Sequence, residues 1–392
     1  QHPYRVNPKK RDIMKIEVQY LLEHCFAVPS QSPWSSPCIL VPKSDSTYRF
    51  CTDYRKINAV TKSDSFPLPR MEDCVDCVGS ARYVTKLDLL KGYWQVPLTS
   101  RASEISAFVT SDNFLQYSVM AFGMRNAPST FQRLMNRVLS GVSDCEIYLD
   151  DVVVYSSSWE DHLAKLEVVF GQLAEASLTL NLAKCEFAKA IVTYLGKRVG
   201  QGQVRPVEAK VCAIVEFTAP TNKRELRRFL GMAGYYRGFC RNFATVVSPL
   251  TDLLSTSRKF VWSSECMNAF NAAKDLLCTA PVLSAPNFSS PFKLQVDASA
   301  TRAGAVLLQE DQAGIEHPVS FFSKKFSKTQ QNYSTIEKEA SSTITVYTDH
   351  NPLVFLMRMS NANQRLMRWS LMQEYKIEIR HKKGVDNLVA DA

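Results

Sequence analysis

The chain has 392 residues, 45% hydrophobic and 22% charged, with a net charge of +9 and eleven scattered cysteines. That balance is ordinary for a soluble globular protein of two to four domains. The unpaired thiols fit a reducing compartment, and the lack of any run of ~20 apolar residues excludes a membrane span.

Taken in chain order, "KKRDIMKIEVQYLLEHCFAVPS" has helical periodicity and ends at the Pro29-Ser30 signal. "SPCILVPK" and "YRFCTDYRKIN" read as a hairpin joined by "SDST". "SFPLPRMEDCVDCVGS" reads as a proline-led loop and a short helix. Its Cys74-Val-Asp-Cys77 lacks a second pair or a histidine pair, so an apolar helix face is expected there rather than zinc. "YVTKLDLLKGYWQVPL" opens as a β-prone alternating strand with Asp88 near its end, and "SAFVT" and "FLQYSVM" form another strand pair. "NAPSTFQRLMNRVLSGV" is a helix, capped by Asn126 or Ser129, with Phe131, Leu134, Met135 and Val138 on one face.

"CEIYLDDVVVYSS" follows. "CEIYL" and "VVVY" read as two strands, which makes Asp150-Asp151 the turn between them. Hairpin turns favour Asn-Gly or Asp-Gly, yet here two like charges are adjacent and glycine is missing. A solvated turn is the plain reading. The apolar flanks argue instead for a turn attached to a buried sheet. If Asp88 lies beside the pair, three carboxylates meet. Such a cluster calls for a hard divalent cation, Mg²⁺ above all, shared with substrate phosphates. Two ions ~3.5–4 Å apart would serve phosphoryl transfer.

"SWEDHLAKLEVVFGQLAEA" is a second amphipathic helix, and "SLTLNLAKCEFAKAIVTYLGKRV" mixes strand and turn. Around Gln201 to Pro206 the character changes, and helical, basic sequence runs to about Pro281. Its segment "TNKRELRRFLGMAGYYRGFCR" gathers Lys223, Arg224, Arg227, Arg228, Arg237 and Arg241 against one acid, Glu225, which points to a polyanion partner. A β-rich block then opens with "FKLQVDASATRAGAVLLQ" and continues through "HPVSFFSKKF" and "TITVYTDH". No repeat of 20–50 residues occurs. No signal peptide is expected, and a chain running from Gln1 to Ala392 reads as a piece of something longer.

"YLDD", "KLDLLKGYWQVPL", "FGMRNAPSTFQRLM" and "VPKSDSTYRFCTDYRKIN" together resemble the reverse transcriptase of gypsy-type LTR retrotransposons. "KLQVDASATRAGAVLLQ", "NYSTIEKEA", "VYTDHNPLVFL" and "RHKKGVDNLVADA" resemble the ribonuclease H that follows it in the Pol polyprotein. The resemblance covers essentially the whole chain. It implies an α/β (α+β) fold: a right-hand polymerase of fingers and palm (1–203), a thumb and connection (204–285), and a ribonuclease H-like mixed-sheet domain (286–392).

The resemblance implies two Mg²⁺ per active site, with Mn²⁺ as a substitute, held in the palm by Asp88, Asp150 and Asp151. Tyr93 matches the aromatic position that excludes a 2′-hydroxyl and so selects deoxynucleotides. Lys43 and Arg49 match the cations that hold the triphosphate, in keeping with their charge and donor geometry. Phe122 and Gly123 match the nucleotide-pocket loop, and Ala121 stands where many relatives have proline. Lys184 resembles the lysine that protonates the leaving pyrophosphate; a surface lysine is the rival reading. Leu195 and Gly196 resemble the grip on the primer end, and the helix from Lys223 to Arg241 would track duplex phosphates. The partners implied are an RNA or DNA template, a primer and deoxynucleoside triphosphates, in an intracellular particle or the nucleus.

In the ribonuclease H block Asp297, Glu339, Asp349 and Asp391 supply the four carboxylates expected for its metals. The family places a helix of several turns after the glutamate, yet only nine residues separate Glu339 from Asp349. A strand "TITVYT" leading to Asp349 advances ~20 Å. The four steps from Glu339 to Thr343 reach at most ~14 Å. An impaired domain, lacking the segment after Glu339 and cut short at Asp391, is therefore expected. The rival to a polymerase is a non-catalytic nucleic-acid-binding remnant of a transposon. A stand-alone nuclease ranks third.

Overall fold

The computed structural model describes residues 1–42, 48–256, 258–298, 301–326, 345–348 and 379–381. The chain divides into two compact units, Gln1–Val78 with Arg82–Ala190, and Gly79–Ala81 with Ile191–Ala392.

The first unit holds two sheets. The five-stranded one runs, in spatial order, Ala27–Pro29, Phe114–Tyr117, Phe108–Val109, Ser36–Pro42, Tyr48–Thr52. Helix Pro8–Glu23 contributes Met14, Val18 and Leu21 to the same core as Phe108, Leu115 and Tyr117. Asn7 caps that helix by accepting from Lys10 N at 2.9 Å, and Pro8 fits its first turn, where no N–H partner is needed. The strand that begins at Tyr48 stops at Thr52; "DYRKIN" does not continue it, because Arg55–Val60 is helical. Asp53 accounts for the break. It turns its carboxylate back onto the Arg55 backbone N–H and guanidinium, the kind of local bond that competes with a strand ladder.

The second sheet is ordered Cys145–Tyr148, Asp151–Ser156, Tyr83–Asp88, Glu186–Lys189, antiparallel throughout. Alternation along its strands sends Leu87, Val152 and Val154 to one face. There they meet Phe131 and Met135 of helix Ala127–Val138, and Leu166, Val169 and Leu173 of helix Trp159–Glu175. Ser158 caps the latter helix, accepting from Asp161 N, and Glu160 and Asp161 sit favourably in its first turn. Asn126 occupies the cap position of Ala127–Val138, but its side chain bonds elsewhere, donating to Lys62 O and accepting from Asp64 N.

The second unit begins with strands Val192–Tyr194, Lys197–Gly200 and Gln203–Pro206, joined by Leu283–Ser284 into one sheet. The second and third of these form a hairpin whose register runs from Lys197↔Pro206 to Gly200↔Gln203. The break between compact units therefore falls near residue 190. Helices Glu208–Val215, Lys223–Tyr235 and Ser264–Cys278 follow. The last sheet runs Glu316–Lys325, Arg302–Glu310, Lys293–Ala298, Thr345–Thr348, Ile379–His381, with its first three strands antiparallel and its last two joined in parallel. Among the described residues no helix is long and apolar enough to cross a membrane.

Candidate active site

The hairpin closes through Leu149 and Asp150, with Tyr148 paired to Asp151. The turn is thus one residue earlier than Asp150-Asp151: Asp151 already belongs to the strand and stands opposite Asp88. The left-handed position that glycine usually fills is taken by Leu149, at φ 57°. Gln132, buried on helix Ala127–Val138, holds it there. The Leu149 N–H donates to Gln132 Oε1 at 2.8 Å, and Gln132 Nε2 donates to Ile147 O at 3.0 Å.

Cross-strand like charges repel, so Asp88 opposite Asp151 with Asp150 adjoining is unfavourable by itself. Desolvation, and after it the Asp151 and Asp88 charges, hold the Asp150 carboxyl above its ordinary range. Two lysines answer the other two acids. Lys86 Nζ lies 3.2 Å from Asp151 Oδ1, and Lys184 Nζ lies 3.6 Å from Asp88 Oδ1. Lys86 is two residues before Asp88, so a period of two puts both on one face; the sequence reading passed it over. Backbone bonds fix Asp88 itself: its N–H donates to Cys185 Sγ at 3.4 Å, and Asn181 N–H donates to its carbonyl at 2.8 Å.

Among the described residues no three metal-ligating side chains converge on one point. The three aspartates lie on adjoining strand ends, and their hard oxygen donors fit a divalent cation by type. Two of them are ion-paired with lysine.

Tyr93 lies on the short 3₁₀ turn Gly92–Gln95, with ring centroids 5.1 Å from Phe122 and 5.3 Å from Phe131. Desolvation, aided by Asp150, pushes its hydroxyl up to about 12. Gly92 is tight: a Cβ there would lie 3.0 Å from Phe131 Cζ and 3.3 Å from Asp150 Cβ. Phe122 is exposed, and Gly123 takes φ 91°, with its carbonyl accepting from Asn58 Nδ2 at 2.8 Å. Arg49 is exposed on strand Tyr48–Thr52, opposite Val41. Lys43 lies outside the described residues.

In the second unit, Leu195 and Gly196 form a turn with both residues at positive φ. Tyr235 and Tyr236, from the end of the basic helix, donate their hydroxyls to the Leu195 and Gly196 carbonyls. Neither tyrosine was legible as a partner of that turn. On helix Lys223–Tyr235 the arginines Arg224, Arg227 and Arg228 are exposed, with Arg228 over the Phe217 ring. Lys223 does not join them: its ammonium donates to the carbonyls of Ser255 and Arg258.

Asp297 lies on strand Lys293–Ala298, in register with Gly304. Glu339, Asp349 and Asp391 lie outside the described residues. Strand Thr345–Thr348 runs parallel to Lys293–Ala298 with Tyr347 beside Gln295.

Residues 41–199 match the family profile "Reverse transcriptase (RNA-dependent DNA polymerase)", and residues 262–359 match "RNase H-like domain found in reverse transcriptase". The Retrovirus-related Pol polyprotein from transposon 297 of Drosophila melanogaster is 38% identical over 96% of this chain and 37% of its own length. That from transposon opus of the same organism is 35% identical, over 100% of this chain and 42% of its own length. That from transposon gypsy is 32% identical, over 97% and 40%. The chain thus spans about two fifths of these relatives. Among solved structures, the foamy viral protease-reverse transcriptase dRH in complex with double-stranded DNA superposes with a TM-score of 0.86 at 23% identity, over 98% of this chain and 71% of that one. The foamy viral enzyme in complex with an RNA/DNA hybrid gives 0.82 at 23% identity, over 100% and 56%. The likeness to the foamy viral enzyme shows a shared fold. The chain carries a reverse transcriptase domain followed by a ribonuclease H-like domain, and it resembles over nearly all its length that segment of gypsy-type LTR retrotransposon Pol polyproteins.

Proposed function

We propose that this chain is an RNA-directed DNA polymerase that extends a primer 3′-hydroxyl with deoxynucleotides on an RNA or DNA template. The observation that carries the reading is Asp88 facing Asp151 across one strand pair, with Asp150 on the adjoining turn and Gly92 and Tyr93 packed beside it. The complexes of the foamy viral enzyme with double-stranded DNA and with hybrid support a nucleic-acid partner.

Asp88, Asp150 and Asp151 are the residues to hold divalent metal. When bound, Mg²⁺ supplies Lewis-acid stabilisation of the attacking and leaving oxygens. Lys86 and Lys184 would help balance the charge of these acids. Lys184, beside Asp88, would be placed to donate its proton to the departing pyrophosphate. Arg49 and Lys43 bind the triphosphate, and the Tyr93 ring closes the space a 2′-hydroxyl would need. The test is primer extension by the purified chain with Mg²⁺. Asp150→Asn removes a metal ligand and should abolish extension while duplex binding persists. Residual activity above a tenth of the parent's contradicts the assignment. Absent extension by the parent, with binding intact, favours the non-catalytic remnant.

We further propose that hybrid cleavage by the second domain is impaired. The alignment with the opus Pol polyprotein runs over 426 positions against 392 residues here, so that relative carries at least 34 positions this chain lacks. The nine residues between Glu339 and Asp349 support a loss at that point. With a strand starting at Thr345, the six steps from Glu339 span up to ~21 Å, more than the ~13 Å from Thr345 to Asp349. Chain reach therefore does not itself separate the two acids. The reading rests on the missing helix, which a linker of that length has no residues to replace.

A further inference from the structure

We propose that Lys91 is a positioning residue, whose ammonium is latched into an aromatic box built largely by the N-terminal helix and its following turn, and that this latch sets the placement of Tyr93 and hence the choice of deoxynucleotide over ribonucleotide. The inference rests on the reading of Tyr93 as the residue that senses the sugar.

Lys91 stands at φ 50°, ψ 44°, a left-handed backbone that is unfavourable for a non-glycine residue. It occupies the cap position of the turn Gly92–Gln95, which carries Tyr93. The side chain is exposed, yet it is tied on several sides. Nζ donates to Tyr20 OH at 2.7 Å. It also lies 3.9 Å from the Tyr20 ring centroid, 4.5 Å from Trp94 and 5.9 Å from Phe26. The rings support one another, with Tyr20 4.0 Å from His24 and Phe26 5.1 Å from Trp94. Tyr20 lies in the last turn of helix Pro8–Glu23, and Phe26 follows the helix.

The turn is pinned at two ends. At its far end Gln95 donates to Leu90 O and Thr179 O, at 2.8 and 3.0 Å, and accepts from Thr179 N at 2.7 Å. At its near end the polar tether is Lys91. Between them Tyr93 meets Phe122 and Phe131 ring to ring, contacts that exclude water and fix direction weakly. Trp94, in the box, is covalently next to Tyr93. Releasing the ammonium frees Trp94 and the left-handed residue together, and the ring of Tyr93 moves with them.

The experiment compares kcat/KM for a deoxynucleotide and its ribonucleotide in primer extension by Lys91→Met, Lys91→Arg, Tyr20→Leu and Tyr93→Ala. Lys91→Met and Tyr20→Leu should each lose about fivefold in discrimination, the scale of one exposed cation–π site. The loss should appear mainly as a raised deoxynucleotide KM with kcat nearly unchanged. Lys91→Arg keeps a cation over the rings and should stay within about twofold of the parent. A parental ratio in Lys91→Met and Tyr20→Leu, while Tyr93→Ala loses selection, overturns the latch and leaves the sugar reading standing. A parental ratio in Tyr93→Ala overturns the sugar reading itself. A loss in Lys91→Arg as large as in Lys91→Met overturns the cation as the cause. Tyr20→Leu decides alone if Lys91→Met does not fold, since it opens the same box from the other side.

Discussion

At the scale of single residues, the aspartate hairpin shows chemistry arranged against local preference. Leu149 takes a backbone conformation suited to glycine, and one buried glutamine from a neighbouring helix keeps it there. Gln132→Leu leaves the Leu149 N–H and the Ile147 carbonyl without their partner. The expected cost is about 1–3 kcal/mol in a urea melt, with extension slowed at least tenfold. Full activity would show that the turn holds its shape unaided. Asp150 makes the opposite case. Its folded carboxyl titrates above its unfolded value, so the native state binds more protons and its stability falls as pH rises through that interval. At neutral pH the charge therefore opposes folding. Asp150→Asn should melt, in metal-free buffer, at a temperature no lower than the parent's even though extension is lost. A clear drop in Tm would contradict this sign.

At the scale of elements, the sheet that bears the aspartates is held to its helices by an apolar layer containing one polar knot. His162, buried on helix Trp159–Glu175, lies 2.8 Å from Thr85 Oγ1 and 2.9 Å from Ser156 Oγ. Burial, with Lys165 adding to it, lowers its pKa below the ordinary 6.5. The folded state prefers the neutral ring, so its contribution is complete above that unfolded value. It is lost as pH falls from there through the lower folded value. Thermal melts should show Tm decreasing between pH 7 and pH 5 from this group, and His162→Gln should flatten that slope. An unchanged slope would place the titration elsewhere. The basic helix belongs to the same scale. Lys223 binds carbonyls at Ser255 and Arg258, so the exposed stripe begins at Arg224.

At the scale of the whole molecule, two measurements address the two domains separately. Replacing Arg224 and Arg227 together by Ala should reduce the slope of log K against log salt by up to ~2, since each phosphate contact contributes ~0.9 on B-DNA. Lys223→Ala should leave that slope alone and instead lower stability. An unaltered slope in the double variant places the duplex on another surface. For the second domain, a labelled RNA–DNA hybrid should survive incubation with Mg²⁺. Cleavage that disappears in Asp297→Asn would refute the impaired reading. Cleavage gained on inserting a family-length helix after Ala340 would confirm the shortened connection as its cause.

The sequence by itself determined the helices whose apolar spacing is regular, Pro8–Glu23, Ala127–Val138 and Trp159–Glu175, because period and capping are local properties. It also determined the aspartate-bearing strands and, through ordered blocks of residues, the family resemblance. It misjudged the turn by one residue, because adjacent charges suggested a turn while the left-handed backbone had been assigned to an ordinary leucine. Only the tertiary structure decided which side chains meet from distant segments: Gln132 with Leu149, Lys86 and Lys184 with their aspartates, Tyr235 with Leu195, Lys91 with Tyr20. It also set the break between compact units near residue 190, since strand pairing joins residues 192–206 to Leu283–Ser284. The physical reason is common to these cases. Periodicity records how a segment faces a core, whereas a pairing between segments depends on where the fold carries each of them, and no local pattern encodes that.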